Sequence, residues 1–309
     1  MSWPALIADI GGTNARFAII RAPGAQPSHN RNLLNADYAS LADAIRAYCQ
    51  LENITPKRAA IAAAGPQQNG IFKLTNLSQW DVPIADLTRE LGFSDIRILN
   101  DFEALALSLP HLGPDDLFSL KPNTKPHENS ALAVIGPGTG LGVGAVLKTA
   151  TGWQAIPSEG GHVELGNRHK HLAQYLDQVR DRFGRVSAER ILCGKGFALL
   201  HEIMSGESLD PAELGAKAVN KDAKAHKTAQ AFLSLLASLA GDMALVYGAR
   251  GGVFIGGGII TKLVPLIDAE NFAADFRAKG RLEPYLDAIP VHIITNPVPA
   301  LIGCAASLE

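Results

Sequence analysis

In LIADIGGTNARFAII, residues 6 to 20, a carboxylate, two glycines, a threonine and an asparagine interrupt an otherwise apolar run. Glycine takes positive φ without steric cost, so Gly11-Gly12 reads as a turn between two apolar segments. The segment after the turn decides the chemistry. In a P-loop or a dinucleotide fold the glycine turn opens a helix whose first amides face the phosphate. Here Arg16-Phe17-Ala18-Ile19-Ile20 favours a second strand. The expected unit is a hairpin whose tip exposes backbone N–H groups as an anion nest, with the Thr13 hydroxyl beside them and Asp9 available to a hydrated magnesium ion. A plain glycine hairpin with an incidental aspartate fits the same residues.

Residues 131 to 147, ALAVIGPGTGLGVGAVL, repeat the pattern: apolar strand, glycine turn with a threonine, apolar strand. GLGVGA within it satisfies G-x-G-x-x-A, but the following VLKTATGWQAI is strand-like and turn-like, so this is no dinucleotide fingerprint. Two phosphate-style hairpins in the two halves of one chain argue for an internal duplication that holds nucleotide between two lobes. A third glycine cluster, GGVFIGGGII at 251 to 260, again follows an apolar strand. Bare backbone there lets a flat ring approach closely, and a tight strand-to-helix turn accounts for it as well.

The other candidate groups are mostly acidic. LNDFE places Asn100 and Asp101 where a strand ends and a helix begins, the edge at which α/β sheets bind ligands. Asp101 as a bare N-cap is the default there. IPSEGGHVE sets Glu159 and His162 around two glycines in a loop with neither helical nor strand period, and such a pair is solvated or part of a site. In VSAERIL, Ser187 is an N-cap candidate, and Glu189 suits the first helical turn without a further role.

These groups need elements to carry them. The pattern predicts strands near 5 to 10, 16 to 21 and 58 to 64, a helix near 40 to 51, a short strand Ile96 to Leu99 and a helix Phe102 to Leu109, an α/β alternation. SLKPNTKPHENS, residues 119 to 130, is polar and proline-bearing, a surface connection near a domain boundary. A long helix is expected at 226 to 248; its apolar part, 231 to 249, is interrupted by Asp242, serines and glycines, which favours a buried core helix over a membrane span.

The chain has 309 residues with 28 Lys+Arg against 30 Asp+Glu, and no long run of either sign, so a nucleic-acid surface is not indicated. Cys49, Cys193 and Cys304 fall in no metal-ligand or disulfide spacing, and the start lacks a basic segment ahead of its apolar stretch. A cytoplasmic protein of about two domains is expected.

Taken in order, ADIGGTNARFA, LTNLSQW, LNDFEALA, GPGTGLGVG, SEGGHVE, VSAERIL and GGVFIGGGI resemble the bacterial glucokinases, of the hexokinase and actin-like ATPase fold, over nearly the whole chain. The resemblance implies a two-lobed, ribonuclease H-like α/β fold with a duplicated mixed-sheet core and a cleft between the lobes. It implies a small lobe of residues 1–110 with the tail 296–309, and a large lobe of 111–295. It implies ATP with Mg2+ phosphorylating glucose at the 6-hydroxyl, as the entry step of glycolysis, by a homodimer without nucleic-acid or membrane partners. Ala8, Asp9, Ile10, Gly11, Gly12 and Thr13, with Gly136, Gly138, Thr139 and Gly140, look like the two phosphate loops. Asp9 then holds magnesium through water, and Gly256, Gly257 and Gly258 lie in the adenosine region. Asn100, Asp101, Glu159, His162 and Glu189 look like the sugar set, with Asn76 a weaker member and Asp101 the catalytic base. Sugar touching both lobes is expected to close them.

Two departures from the family pattern stand out. Lys195 occupies a position where a proline is more frequent and bears on the shape of the nucleotide side, with no catalytic role expected; Ser158 replaces a common glycine. A related repressor-type sugar kinase would carry a cysteine-rich zinc motif, which the three scattered cysteines do not supply. A sugar sensor on the same fold would need a DNA-binding module, for which a first strand beginning near residue 5 leaves no N-terminal room.

Overall fold

The structure, a computed structural model, describes residues 3–63, 67–68, 71–72, 80 and 82–309. The chain divides into two compact units: one runs through Leu112 and takes in Pro297–Glu309, and the other is Gly113–Asn296.

The first unit opens with β1 (Ala5–Ile10) and β2 (Asn14–Ile20), an antiparallel hairpin, and β3 (Ser28–Leu34) pairs antiparallel to β2. Helix α1 (Leu41–Leu51) starts where the Ser40 hydroxyl accepts the Asp43 N–H at 3.1 Å. It crosses to β4 (Arg58–Ala63), which runs parallel to β1 and is buried at all six positions, as a central strand covered on both faces must be. A small sheet of β5 (Gln67–Gln68), β6 (Ile71–Phe72) and β7 (Val82–Pro83) comes next. Helix α2 (Ile84–Leu91) then leads to β8 (Asp95–Asn100), parallel to β4, and α3 (Asp101–Ser108). The main sheet has the order β3-β2-β1-β4-β8. Register aligns its strand ends: Ile10 lies beside Ala63, and Ala63 beside Asn100. The hairpin tip and the start of α3 therefore leave the same carboxyl edge, two strands apart, roughly 10 Å at ordinary strand spacing.

The second unit repeats this plan. After β9 (Leu117–Ser119), β10 (Leu132–Pro137) forms an antiparallel hairpin with β11 (Leu141–Thr149), and β12 (Gly152–Ile156) extends it. Helices α4 (Lys170–Phe183), α5 (Ala188–Ile191), α6 (Gly194–Ser205), α7 (Pro211–Val219) and α8 (Ala223–Tyr247) precede β13 (Gly252–Ile255), which is parallel to β10. Then come α9 (Gly258–Leu263), α10 (Ala269–Arg277), α11 (Glu283–Asp287) and β14 (Val291–Ile294). The sheet order β12-β11-β10-β13-β14-β9 matches the first sheet strand for strand apart from the added β9. That edge strand, antiparallel to β14, occupies 117–119, so the polar connection begins only at Leu120.

Each unit closes its own apolar core: Leu6, Phe17, Ile45, Tyr48 and Ile61 in the first, and Ile135, Val143, Phe197, Phe232, Leu236 and Ile255 in the second. Helix α8 is long and apolar enough to cross a membrane by composition, but 72% of its most apolar window is buried within the second unit. It is the expected core helix. The chain ends as α12 (Pro299–Ser307), back in the first unit, where Gly303 lies so close to α3 that an added Cβ would stand 1.7 Å from the Ala104 carbonyl oxygen. No residue with a side chain fits that approach.

Candidate functional site

The first hairpin is braced by its own neighbourhood. Gly11 N–H donates to Asn14 O at 2.9 Å, closing the turn, and Gly12 and Thr13 are exposed at the tip. Buried Asn35 steadies the tip from beside it: its side-chain amide donates to Gly11 O at 2.8 Å and its backbone N–H to Thr13 O at 3.0 Å. Antiparallel register sets Asp9 opposite Arg16, and the two form an ion pair at 3.0 Å. Burial pushes the Asp9 carboxyl up, and the Arg16 guanidinium works against that shift. This pairing is readable in the sequence, since a three-residue tip brings positions seven apart face to face. Nothing in the sequence points to Asn35, which lies 24 residues from the Gly11 carbonyl it binds.

Asn100 and Asp101 stand at the β8–α3 junction. The N-cap expected at Asp101 is instead Asn100, whose Oδ1 accepts the Phe102 N–H at 2.9 Å while Glu103 Oε2 accepts the Asn100 N–H at 3.3 Å. Helix α3 starts one residue earlier than the apolar pattern suggests, because this reciprocal capping box satisfies its first amides. Asp101 is thus the first helical residue, half-buried, with Oδ1 2.9 Å from the Phe102 nitrogen. Burial pushes the Glu103 carboxyl up. Asn76 lies outside the described residues.

In the second unit the hairpin tip is held from outside. Gly138 N–H donates to Gly140 O at 2.8 Å, Gly194 N–H at the start of α6 donates to Gly138 O at 2.9 Å, and Leu141 N–H donates to Glu189 Oε2 at 2.9 Å. Gly136 lies within β10, opposite Gly142 on β11. Glu189 comes two residues after the Ser187 cap, whose Oγ takes the Arg190 N–H at 3.3 Å. Glu159 precedes a short 3-10 turn, Gly160–His162, in a stretch whose pattern predicts neither helix nor strand. The two glycines are demanded by packing: a Cβ on Gly161 would sit 1.9 Å from Leu141 O, and one on Gly160 2.9 Å from Val143 Cγ1. Ser158, which precedes the turn's cap residue Glu159, accepts the Gly160 N–H at 2.9 Å through its Oγ, a bond a glycine there could not make. His162 stands between two carboxylates, with Nε2 4.0 Å from Glu159 Oε2 and Nδ1 3.9 Å from Glu189 Oε1. Both distances exceed hydrogen-bond range, leaving these polar atoms in reach of a third group.

The remaining glycine cluster lies beside the second hairpin. Parallel pairing sets Ile255 beside Ile135, so Gly256–Gly258 and the Gly138–Gly140 tip leave adjacent strands at one edge. Gly257 has φ +100°, and a Cβ there would meet Pro137 O at 2.5 Å. The turn does lead from strand to helix, into α9. Beside it opens a cavity of ≈ 540 Å³ lined by Gly138, Thr139, Gly194, Lys195, Phe197, Pro211, Gly258, Ile259 and Lys262, within the usual range for small-molecule sites. Lys195 and Lys262 bring positive charge to its lining, and Asp210 brings one carboxylate, which caps α7 by accepting the Ala212 N–H at 2.8 Å. Lys195 thus brings charge as well as shape to this cavity, and Lys262 lies in no motif that would single it out.

A mixed sheet that recurs with its glycine hairpin and its parallel neighbour is the duplicated core of the actin-like ATPase fold. Residues 6–309 match the family model described as Glucokinase. The chain belongs to the glucokinase family, and it is accordingly a kinase. A glucokinase of Chromobacterium violaceum is 41% identical over 99% of this chain and 90% of its own length. The crystal structure of a glucokinase from an Antarctic psychrotroph superposes with a TM-score of 0.92 at 36% identity, covering 100% of this chain and 99% of that one. A ROK family glucokinase from Streptomyces griseus, in complex with glucose and AMPPNP, has a TM-score of 0.61 at 18% identity, covering 99% of both chains, a likeness of fold.

Proposed function

We propose that this enzyme transfers the γ-phosphoryl group of ATP to the 6-hydroxyl of glucose, with Asp101 as general base. The observation that supports it best is the level register of Ile10, Ala63 and Asn100, which brings a phosphate-style hairpin and a carboxylate to one edge of one sheet. In the step itself the sugar oxygen attacks phosphorus, the bond to the β-phosphate oxygen breaks, and the hydroxyl proton passes to the Asp101 carboxylate, giving glucose 6-phosphate and ADP. Phosphoryl transfer asks little covalent chemistry of the protein beyond alignment and charge neutralisation.

The sugar is held by groups suited to a ring of hydroxyls: the Asn100 amide, the Glu159 and Glu189 carboxylates and the His162 imidazole, with Asn76 a further member. The hairpin amides at Gly11–Thr13 and Gly138–Gly140 take phosphate oxygens. Adenosine occupies the ≈ 540 Å³ cavity, with Gly256–Gly258 as the bare wall. Magnesium suits this donor set, since it prefers one or two carboxylates together with phosphate oxygens and water, and Asp9 supplies such a carboxylate at the hairpin base. When bound, it neutralises phosphate charge. The free thiols of Cys49, Cys193 and Cys304 fit a cytoplasmic enzyme at the entry of glycolysis.

Release of ADP from ATP, magnesium and glucose, measured with Asp101→Asn beside the parent, tests the assignment. The variant is expected to bind glucose normally and to lose roughly 10² to 10⁴ in kcat, as a lost general base does. Near-normal turnover would remove Asp101 from the chemistry.

A further inference from the structure

The two carboxylate oxygens of Glu189 face different structures. Oε2 accepts the N–H of Leu141 at 2.9 Å, while Oε1 lies 3.9 Å from His162 Nδ1. Gly140, at the end of the second hairpin tip, presses on the same Oε2: an added Cβ would stand 2.6 Å from it and 3.5 Å from Glu189 Cδ. The obstructing atom is the end of a flexible side chain, so a methyl group there displaces the carboxylate and leaves the backbone in place.

We propose that Glu189 is a positioning residue for the phosphate hairpin as well as a sugar ligand, bracing the tip through Leu141 with one oxygen and offering the other to a sugar hydroxyl. This rests on the sugar role assigned above. An N–H donated to a carboxylate is stronger than one donated to a neutral acceptor, so this bond is a firm tie for a glycine-rich tip. A hydroxyl bound at Oε1 removes rotamer freedom from the same side chain, and the hairpin then meets a brace already ordered. Sugar and nucleotide affinities become coupled through one residue, and by linkage each ligand tightens the other by the same factor. The geometry also gives Gly140 a reason to be glycine that does not depend on φ.

Calorimetry separates the two jobs. In the absence of sugar, Glu189→Ala is expected to weaken a non-hydrolysable ATP analogue by about fivefold, the effect of one lost hydrogen bond. AMP, lacking the outer phosphates, is expected to bind within about twofold of the parent, and Glu189→Gln, which keeps a carbonyl oxygen for Leu141, to bind the analogue within about twofold. Gly140→Ala is expected to fold, to weaken glucose through the displaced carboxylate, and to reduce the ratio of analogue Kd without and with saturating glucose. Unaltered analogue binding by Glu189→Ala would overturn the brace. Loss of the analogue with glucose binding intact would overturn the sharing, and an unchanged ratio in Gly140→Ala would overturn the coupling. A parent protein that binds no glucose would sink the sugar assignment itself, a failure distinct from these three.

Discussion

The two glycine hairpins occupy equivalent places in equivalent sheets, yet they are held differently. The first is secured locally, by a cross-strand ion pair between Asp9 and Arg16 and by Asn35 just beyond β3. The second has no charged residue near its tip, its one lysine, Lys148, lying at the far end of β11, and is tied by residues some fifty positions on, Glu189 and Gly194. Duplication thus preserves the backbone device and leaves each copy to find its own support. The first copy carries a carboxylate beside its tip, the one proposed above to hold magnesium, and the second depends on whatever else touches its braces.

Removing the charge from the first hairpin should produce the largest effect. Asp9→Ala is expected to cost roughly 10² to 10³ in kcat/KM for magnesium ATP, the several kcal/mol that a bound metal supplies, with glucose affinity nearly unchanged. Equal kcat/KM in variant and parent would reduce the difference between the hairpins to decoration. Next comes the wall of the second hairpin. Gly257→Ala combines φ +100° with a 2.5 Å clash against Pro137 O and should destabilise the protein by about 1–3 kcal/mol, whereas Gly138→Ala meets only Gly140 O at 3.9 Å and should melt close to the parent. Thermal unfolding of the pair checks this, and equal losses would show that the tip, too, is sterically closed.

Asn35→Ala sharpens the idea of local bracing. It removes the bond to Gly11 O, so about 1 kcal/mol of stability and a few-fold rise in KM for ATP are expected, without change in glucose affinity. A KM for ATP indistinguishable from the parent's would mean that the tip does not rely on Asn35. The smallest effect concerns pH and the second unit. Burial holds the His201 and His292 imidazoles below the usual histidine range. The unfolded chain then binds more protons than the folded one below about pH 6.5, so stability is present above that pH and is lost as pH falls towards the depressed folded values. His292→Phe, at the ring that stands 5.2 Å from Phe254, should flatten the dependence of melting temperature between pH 5 and 7. An unaltered slope would exclude His292 as a contributor.

Much of this is legible in the chain. Both hairpins, the absence of a helix after GLGVGA and the core placement of α8 follow from periodicity, since buried strands and amphipathic or wholly apolar helices leave different spacings. Ser187 as a cap is legible for the same local reason. Less visible is everything that depends on strand register or on distant packing. The level ends of β1, β4 and β8 are a tertiary fact, and so are the Asn35 brace, the meeting of Lys195 and Lys262 at one cavity, and the 1.9 Å margin that forbids a side chain at Gly161. The cap expected at Asp101 falls to Asn100 because the two compete for the same amide, and the reciprocal Glu103 contact favours the asparagine.

The return of α12 to the first unit bears on the order in which the molecule is made. Helix α3 begins at Asp101, and its tightest neighbour is Gly303, two hundred residues later and beyond the whole of the second unit. Arg58 in β4 likewise waits for the carbonyl of Leu308. During synthesis the second unit can therefore complete its core while the first still lacks a helix. The helix carrying the proposed base gains its packing partner only after the second unit has been made, so a nascent chain able to shelter nucleotide would acquire the capacity for turnover only once α12 has followed.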